Sequence, residues 1–170
     1  MSIYDVLVLG GGPGGLTSGI YASRAQLNVL MIERLMPGGQ VASTDWVENY
    51  PGFEEGIGGI DLMQRIEKQA RRFGLEITSG TVEEIDLNSR PKRIVASGKE
   101  YFGKTVIIAT GTDPKLLNVP GEKEFKGKGV SYCATCDGAF YRDKHVLAVG
   151  GGNTAVQDAI YLASRFAKKV

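Results

Sequence analysis

Tyr4-Asp5-Val6-Leu7-Val8-Leu9 is a short apolar run that breaks directly into Gly10-Gly11-Gly12-Pro13-Gly14-Gly15. A run of that length suits a strand buried on both faces of a parallel sheet. Gly10, Gly12 and Gly15 occupy the G-x-G-x-x-G positions that follow such a strand in a dinucleotide-binding βαβ unit. One glycine there makes a tight turn, one lets the backbone approach a pyrophosphate, and one lets helix pack on strand. The helix expected from about Gly14 to Ala25 would aim its first N–H groups at the phosphates. A second strand, Asn28 to Ile32, ends at Glu33. Glu33 lies about 20 residues past the first glycine, where a carboxylate can reach a ribose hydroxyl pair. An acid in that place favours an unphosphorylated ribose, as in FAD or NAD. The plainer alternative is a βαβ unit whose glycines and Glu33 only turn the chain.

The pattern returns further along. His145 to Val149 reads as another buried strand, and Gly150-Gly151-Gly152-Asn153-Thr154-Ala155 restates the fingerprint with Ala155 in the third place, ahead of a helix from Thr154 to Phe166. Between the two fingerprints stands Cys133-Ala134-Thr135-Cys136. A lone C-x-x-C can be a metal half-site or two inert core residues. Set between two nucleotide fingerprints, it points to an electron relay of dinucleotide, dithiol and dinucleotide. Two cysteines and no others fit a redox motif in a reducing compartment better than a disulfide framework. A zinc site needs four ligands, more than these two cysteines and His145 supply, and His145 reads as a structural residue. Thiolate is the reactive form of cysteine, so exchange also needs a proton donor for the leaving sulfur. Asp137, next to Cys136, is placed to be that donor; capping a helix is its plainer role.

The remaining segments frame these motifs. The stretch from Pro37-Gly38-Gly39-Gln40 through Asp45 to Gly52 has no helical or strand period, and loops this long inside a compact domain are more often functional than idle. Trp46 and Tyr50 read there as packed or half-exposed loop aromatics. Met63, Ile66, Ala70 and Phe73 mark a core-facing helix over Ile60 to Phe73, stopped at Gly74. Strands are expected at Leu75–Thr78, Thr81–Leu87, Arg93–Ser97 and Thr105–Ala109, the last running into Thr110-Gly111-Thr112, either a close backbone approach or an ordinary turn. A boundary near Asp113-Pro114-Lys115 divides residues 1–114 from 115–170, and Lys123, Lys126 and Lys128 read as a solvated face. The second domain would hold about one strand and one helix, whereas domains typically need about 50–200 residues, so we expect the chain to be part of a longer protein. With 20 basic and 19 acidic side chains and a net charge of +1, nothing suggests nucleic-acid binding. No apolar run approaches the roughly 20 residues that span a bilayer, and the N-terminus lacks signal-peptide character; the chain reads as cytoplasmic.

Ala109-Thr110-Gly111, Cys133-Ala134-Thr135-Cys136-Asp137-Gly138 and Gly150 to Ala155, in that order behind Gly10-x-Gly12-x-x-Gly15, resemble the low-molecular-weight thioredoxin reductases across all 170 residues. The resemblance implies an α/β, FAD/NAD(P)-binding Rossmann-like three-layer fold with two nucleotide-binding domains, the second incomplete. FAD would occupy the first fingerprint (Gly10, Gly12, Pro13, Gly14, Gly15, Glu33), with Gly38, Gly39, Gln40, Asn49, Ala109, Thr110 and Gly111 lining the flavin site. NADPH would occupy the second (Gly150, Gly152, Asn153, Thr154, Ala155). Electrons would pass from NAD(P)H through FAD to the Cys133–Cys136 disulfide and on to a thioredoxin-like partner, in a homodimer. Asp137 would be the acid-base partner, Cys136 the sulfur nearer the flavin, and Cys133 the one that attacks. The chain departs from the family pattern in carrying neither the second half of the nucleotide domain nor the C-terminal return segment. Alternatives are a related dithiol reductase using NADH or ferredoxin and a catalytically incomplete FAD-binding fragment. Ferredoxin-type NADP oxidoreductases have no use for the C-x-x-C, and the peroxide-detoxifying relatives carry an extra N-terminal module where this chain opens on its first strand.

Overall fold

A computed structural model describes residues 2–170. It comprises two compact units, one ending at Asp113 and the other spanning Pro114–Val170.

In the first unit the elements are β1 (Ile3–Leu9), α1 (Pro13–Arg24), β2 (Val29–Glu33), a 3₁₀ turn (Gly39–Ser43), α2 (Gly59–Arg72), β3 (Glu76–Ser79), β4 (Val82–Asp86), β5 (Lys92–Ala96) and β6 (Lys99–Ile108). They build a sheet in the order β3-β2-β1-β6-β5-β4, parallel from β3 to β6 and antiparallel beyond. β1 alternates its side chains between two cores, as the pleat requires. Val6 and Val8 join Leu16 and Ile20 of α1 and Leu62, Met63 and Ile66 of α2. Leu7 and Leu9 join Leu30, Ile32, Ile94 and Ala96. Buried on both sides, β1 loses the polar alternation of a surface strand, and each fully buried Leu or Val contributes about 1.5–3 kcal/mol.

Ile94 and Ala96 belong to β5, which is not a sheet neighbour of β1, yet they cover its second face. The path of β6 explains this. Residues 99–103 pair antiparallel with β5 (Lys99↔Ala96 to Gly103↔Lys92), and residues 102–108 pair parallel with β1 (Phe102↔Ile3 to Ile108↔Leu9). Gly103 is paired on both sides, with Tyr4 and with Lys92, and a β-carbon there would lie 2.7 Å from Leu7 Cγ. The unit therefore has three layers: helices, parallel sheet, and an antiparallel meander folded over the back. Sequence reading foresaw only the apolar second half of β6, because Lys99 and Glu100 open the strand with exposed polar side chains and are paired there by β5.

The second unit holds α3 (Ala134–Asp137), which continues into a 3₁₀ turn (Gly138–Tyr141), and α4 (Asn153–Arg165). Gly138 lets them pack: a β-carbon there would lie 3.0 Å from the Phe166 ring. Leu162 is buried beneath it, and Arg142 lies 5.3 Å from the centre of that ring.

The strand expected at His145–Val149 does not form. That stretch has a single parallel bridge, His145 to Lys169, with Val146 N donating to Lys169 O at 2.8 Å. Leu147 is 85% exposed and Val149 56%. Its composition is that of a strand buried on both faces, but among the described residues only the short Lys168–Val170 segment lies alongside to pair with it. A strand exists by its ladder, not by its residue types. No helix among the described residues is long and apolar enough to cross a membrane.

Candidate functional site

In the first unit the glycines of the fingerprint separate by physical role. Gly10 has φ +102°, a conformation that side-chain-bearing residues rarely adopt, and a β-carbon on it would lie 2.4 Å from Ala109 O. A β-carbon on Gly15 would lie 1.9 Å from Gly10 O, so the start of α1 is pressed against the end of β1. Gly12 and Gly14 face open space: the nearest atom to a β-carbon at Gly12 is Gly39 Cα at 3.9 Å, and at Gly14 nothing lies within 4 Å. The open side adjoins the first turn of α1, whose leading N–H groups have no acceptor within the helix. This cradle fits a pyrophosphate: backbone donors at a helix N-terminus, with no side chain in the way.

Two other segments meet this loop. Gly38 N donates to Gly11 O at 2.8 Å, and the Gln40 side-chain amide donates to Thr112 O. Ala109 N donates to Leu9 O at 2.8 Å, which carries the Ala109-Thr110-Gly111 string off the end of β6 beside Gly10. Gly38, Gly39, Gln40 and Ala109 are thus brought together around Gly10–Gly15. Asn49 is not: it is exposed on the Glu48–Glu54 loop, whose concavity also involves Tyr50 and Phe53.

Glu33, half-buried at the end of β2, accepts from Gly11 N at 2.5 Å through Oε2 and from Leu35 N at 3.0 Å through Oε1. A carboxylate offers about four lone-pair sites, so a ribose hydroxyl pair can still be received. The same side chain also braces the glycine loop, a role its spacing did not announce.

In the second unit Cys133 and Cys136 form a disulfide with a Cα–Cα distance of 5.3 Å. Cys133 is half-buried and occupies the N-cap of α3, where its Sγ receives Cys136 N–H at 3.2 Å. Cys136 is exposed. Asp137 makes no side-chain cap; instead its Oδ2 accepts from Ser131 Oγ at 2.5 Å, and Ser131 Oγ accepts from Cys133 N at 3.1 Å. Burial, and then the charge of Asp137, hold the Tyr141 phenol above its ordinary pKa. On α4, Asp158 accepts from Ala134 N at 3.3 Å and so ties that helix to the start of α3.

Glu122 is 5% exposed and accepts from Leu117 N at 2.9 Å, Asn118 N at 2.7 Å and Tyr132 Oη at 2.8 Å. The backbone donor from Leu117 does most to hold its carboxyl below the usual glutamate range, against the opposing effect of burial. Ser131, Tyr132, Glu122 and Asp158 were not singled out from the sequence. No spacing rule marks them, since each finds its partner only through the fold of the segment before α3.

The second fingerprint repeats the division of labour. Gly150 has φ +141°, and a β-carbon there would lie 2.8 Å from Ala155 Cβ, while Gly151 and Gly152 have nothing within 4 Å. Gly152 is the N-cap of α4, which places Asn153, Thr154 and Ala155 in its first turn. A second dinucleotide phosphate cradle fits here on the same grounds. Among the described residues no group of three or more His, Cys, Asp or Glu side chains could hold a metal ion.

The sequence profile of the pyridine nucleotide-disulphide oxidoreductases matches residues 4–170. Thioredoxin reductase of Bacillus subtilis (strain 168) is 51% identical over 168 residues, covering 99% of this chain and 52% of that protein. Among solved structures, thioredoxin reductase from Streptococcus pyogenes MGAS5005 superposes with a TM-score of 0.91 at 46% identity, covering 99% of this chain and 54% of its own. That from Giardia duodenalis superposes with a TM-score of 0.93 at 41% identity, covering 100% and 55%. The chain spans about half the length of the curated relatives it matches.

Proposed function

Because the chain belongs to the pyridine nucleotide-disulphide oxidoreductase family, we propose that it provides the FAD-binding region (residues 1–114) and the dithiol-bearing start of the NADPH-binding region (115–170) of a cytoplasmic, homodimeric thioredoxin reductase. The observation that carries this reading is the Cys133–Cys136 disulfide on α3, in the same unit as a glycine cradle opening α4 and beside a carboxyl, Asp137, already engaged in a hydrogen bond. When bound, NADPH and FAD would supply the two electrons that reduce the disulfide.

The chain's own residues account for the rest. Gly12 and Gly14 leave room for the FAD pyrophosphate at α1, and Glu33 receives the ribose; Gly38, Gly39, Gln40 and Ala109 to Gly111 wall the same pocket, to which the family resemblance adds Asn49. Gly152, Asn153, Thr154 and Ala155 hold NADPH at α4. Cys133 is the attacking sulfur: the Cys136 N–H aimed at its Sγ lowers the cost of the thiolate. Asp137 supplies the proton to the leaving sulfur, and Cys136 resolves the mixed disulfide.

The experiment is trapping. The chain is reduced with dithiothreitol, desalted and mixed with oxidised thioredoxin. Cys136→Ser should accumulate a mixed disulfide through Cys133, and Cys133→Ser should not. Failure of both variants to trap thioredoxin would refute the dithiol assignment, and trapping by Cys133→Ser alone would exchange the two roles. Anaerobic titration of FAD-loaded protein with NADPH, NADH and reduced ferredoxin identifies the donor.

A further inference from the structure

Ser131 lies outside every motif, yet its hydroxyl is the one side-chain donor to Asp137 among the described residues. We propose that Ser131 is a positioning residue for disulfide exchange: its hydroxyl holds the Asp137 carboxyl in either protonation state and ties it to the Cys133 peptide. This rests on the reading of Asp137 as proton donor.

Three contacts converge on one oxygen. Ser131 Oγ lies 2.5 Å from Asp137 Oδ2, receives Cys133 N–H at 3.1 Å, and stands 3.4 Å from Cys133 O. A serine hydroxyl has one hydrogen and two lone pairs. With Asp137 ionised, the hydrogen points to Oδ2. With Asp137 protonated, the carboxyl hydrogen points to Oγ, and the serine hydrogen turns to the Cys133 carbonyl. The Cys133 N–H keeps its acceptor throughout. Both arrangements use the same heavy-atom positions, so a proton can come and go without reorganisation of the site.

Exchange requires such traffic. The Cys133 thiolate attacks one sulfur of the partner disulfide, that S–S bond breaks, and the released partner thiolate takes the proton of Asp137. The Asp137 carboxylate then takes the proton of the Cys136 thiol. The Cys136 thiolate attacks Cys133 Sγ, closes the intramolecular disulfide, and expels the second partner thiolate, which takes the proton back from Asp137. Two electrons and two protons reach the partner, and Asp137 gives, regains and gives again. Two other titratable groups lie close by, Tyr141, whose phenol responds to the charge of Asp137, and Asp158, which is engaged with Ala134 N. Neither hydrogen-bonds the carboxyl of Asp137.

The test uses the dithiothreitol-reduced chain and 2-hydroxyethyl disulfide, with the rate of dithiol loss followed from acid to alkaline pH. Ser131→Ala should slow exchange about ten-fold and displace the limb of the pH profile that reports the proton donor, because the carboxyl loses a charge-assisted hydrogen bond. Ser131→Thr, which keeps the hydroxyl, should restore the parent profile. If Ser131→Ala does not fold, Ser131→Val against Ser131→Thr makes the same comparison at constant shape. A Ser131→Ala profile superimposable in form on the parent overturns the proposal, as does failure of Ser131→Thr to restore it. Asp137→Asn separates the two levels. If it abolishes the limb while Ser131→Ala leaves it in place, only the role of Ser131 fails; if Asp137→Asn keeps the limb, the proton-donor reading fails and this proposal with it.

Discussion

Gly14 and Gly15 are adjacent in the first turn of α1, and alanine should have opposite consequences at the two positions. In a helix, replacing glycine by alanine gains about 0.5–1 kcal/mol of backbone entropy and propensity. At Gly14 nothing opposes that gain, because a β-carbon meets no atom within 4 Å. At Gly15 the β-carbon would lie 1.9 Å from the Gly10 carbonyl oxygen and 3.0 Å from its carbon, well inside the roughly 3.3–3.6 Å at which carbon and carbonyl oxygen normally meet. The obstructing atoms are backbone and cannot rotate away. They belong to a residue already committed to φ +102° and wedged beneath Ala109, so relief requires moving α1 off β1. Overpacking of this kind costs about 1–3 kcal/mol and sometimes more; at a backbone contact we take the upper end, leaving Gly15→Ala less stable by about 2 kcal/mol after the helix gain. The chain's single tryptophan, Trp46, lies in the first unit and reports its unfolding separately from the second. With a urea m-value of roughly 1–3 kcal/mol/M, the Gly15→Ala midpoint should fall by about 1 M, while Gly14→Ala should match or slightly exceed the parent. Coincident transitions for Gly15→Ala and the parent, or a larger loss at Gly14, would refute the account of helix–strand packing.

Gly12→Ala should leave that transition unchanged, since Gly12 has φ −72° and clear space, yet weaken FAD binding in a fluorescence titration by occupying the pyrophosphate cradle; unaltered affinity would remove the cradle assignment. Glu33→Ala should lose about 1.5–3 kcal/mol of FAD affinity with the hydrogen bonds of a charged group, and should also lower stability, because Gly11 N and Leu35 N lose their acceptor; equal FAD affinity contradicts the ribose role. The carboxyl of Glu122 is held below its ordinary pKa in the folded chain, so its contribution is fully present above the ordinary glutamate value and disappears as pH falls through the lower folded one. Acid unfolding of the second unit, followed by circular dichroism from about pH 5 downward, should therefore be less steep in Glu122→Gln, and identical acid limbs would count against this role.

What the sequence made legible was local. The β1–glycine–α1 passage was readable because the apolar run, the left-handed turn at Gly10 and the packing glycine at Gly15 are all dictated within a dozen residues. The helix over Gly59–Arg72 declared itself by its period, and its ends shifted by a single residue. Elements that exist through distant partners were not readable in the same way. The start of β6 is a strand because β5 lies beside it, and His145–Val149 is not one because almost nothing does. The candidate site divides similarly. Cys133, Cys136 and Asp137 were named by spacing, whereas Ser131 and Glu122 act through one hydroxyl and one buried carboxylate whose partners only the fold supplies. Asn49, carried over by resemblance alone, is exposed on the Glu48–Glu54 loop.

The double allegiance of β6 also dictates an order of events as the polypeptide emerges during synthesis. The Thr105 hydroxyl donates to Asp5 O across a sequence separation of 100, so the central strand waits for roughly the whole first unit before its second edge is sealed. Until then Leu7 and Leu9 present a bare apolar face. The β4–β5 hairpin can form by itself from near-neighbour contacts and deliver the strand that closes the sheet, a low-entropy-cost step followed by one long-range closure. Nascent chains halted before Lys99 should accordingly be held by chaperones, and those extended past Ile108 should be released.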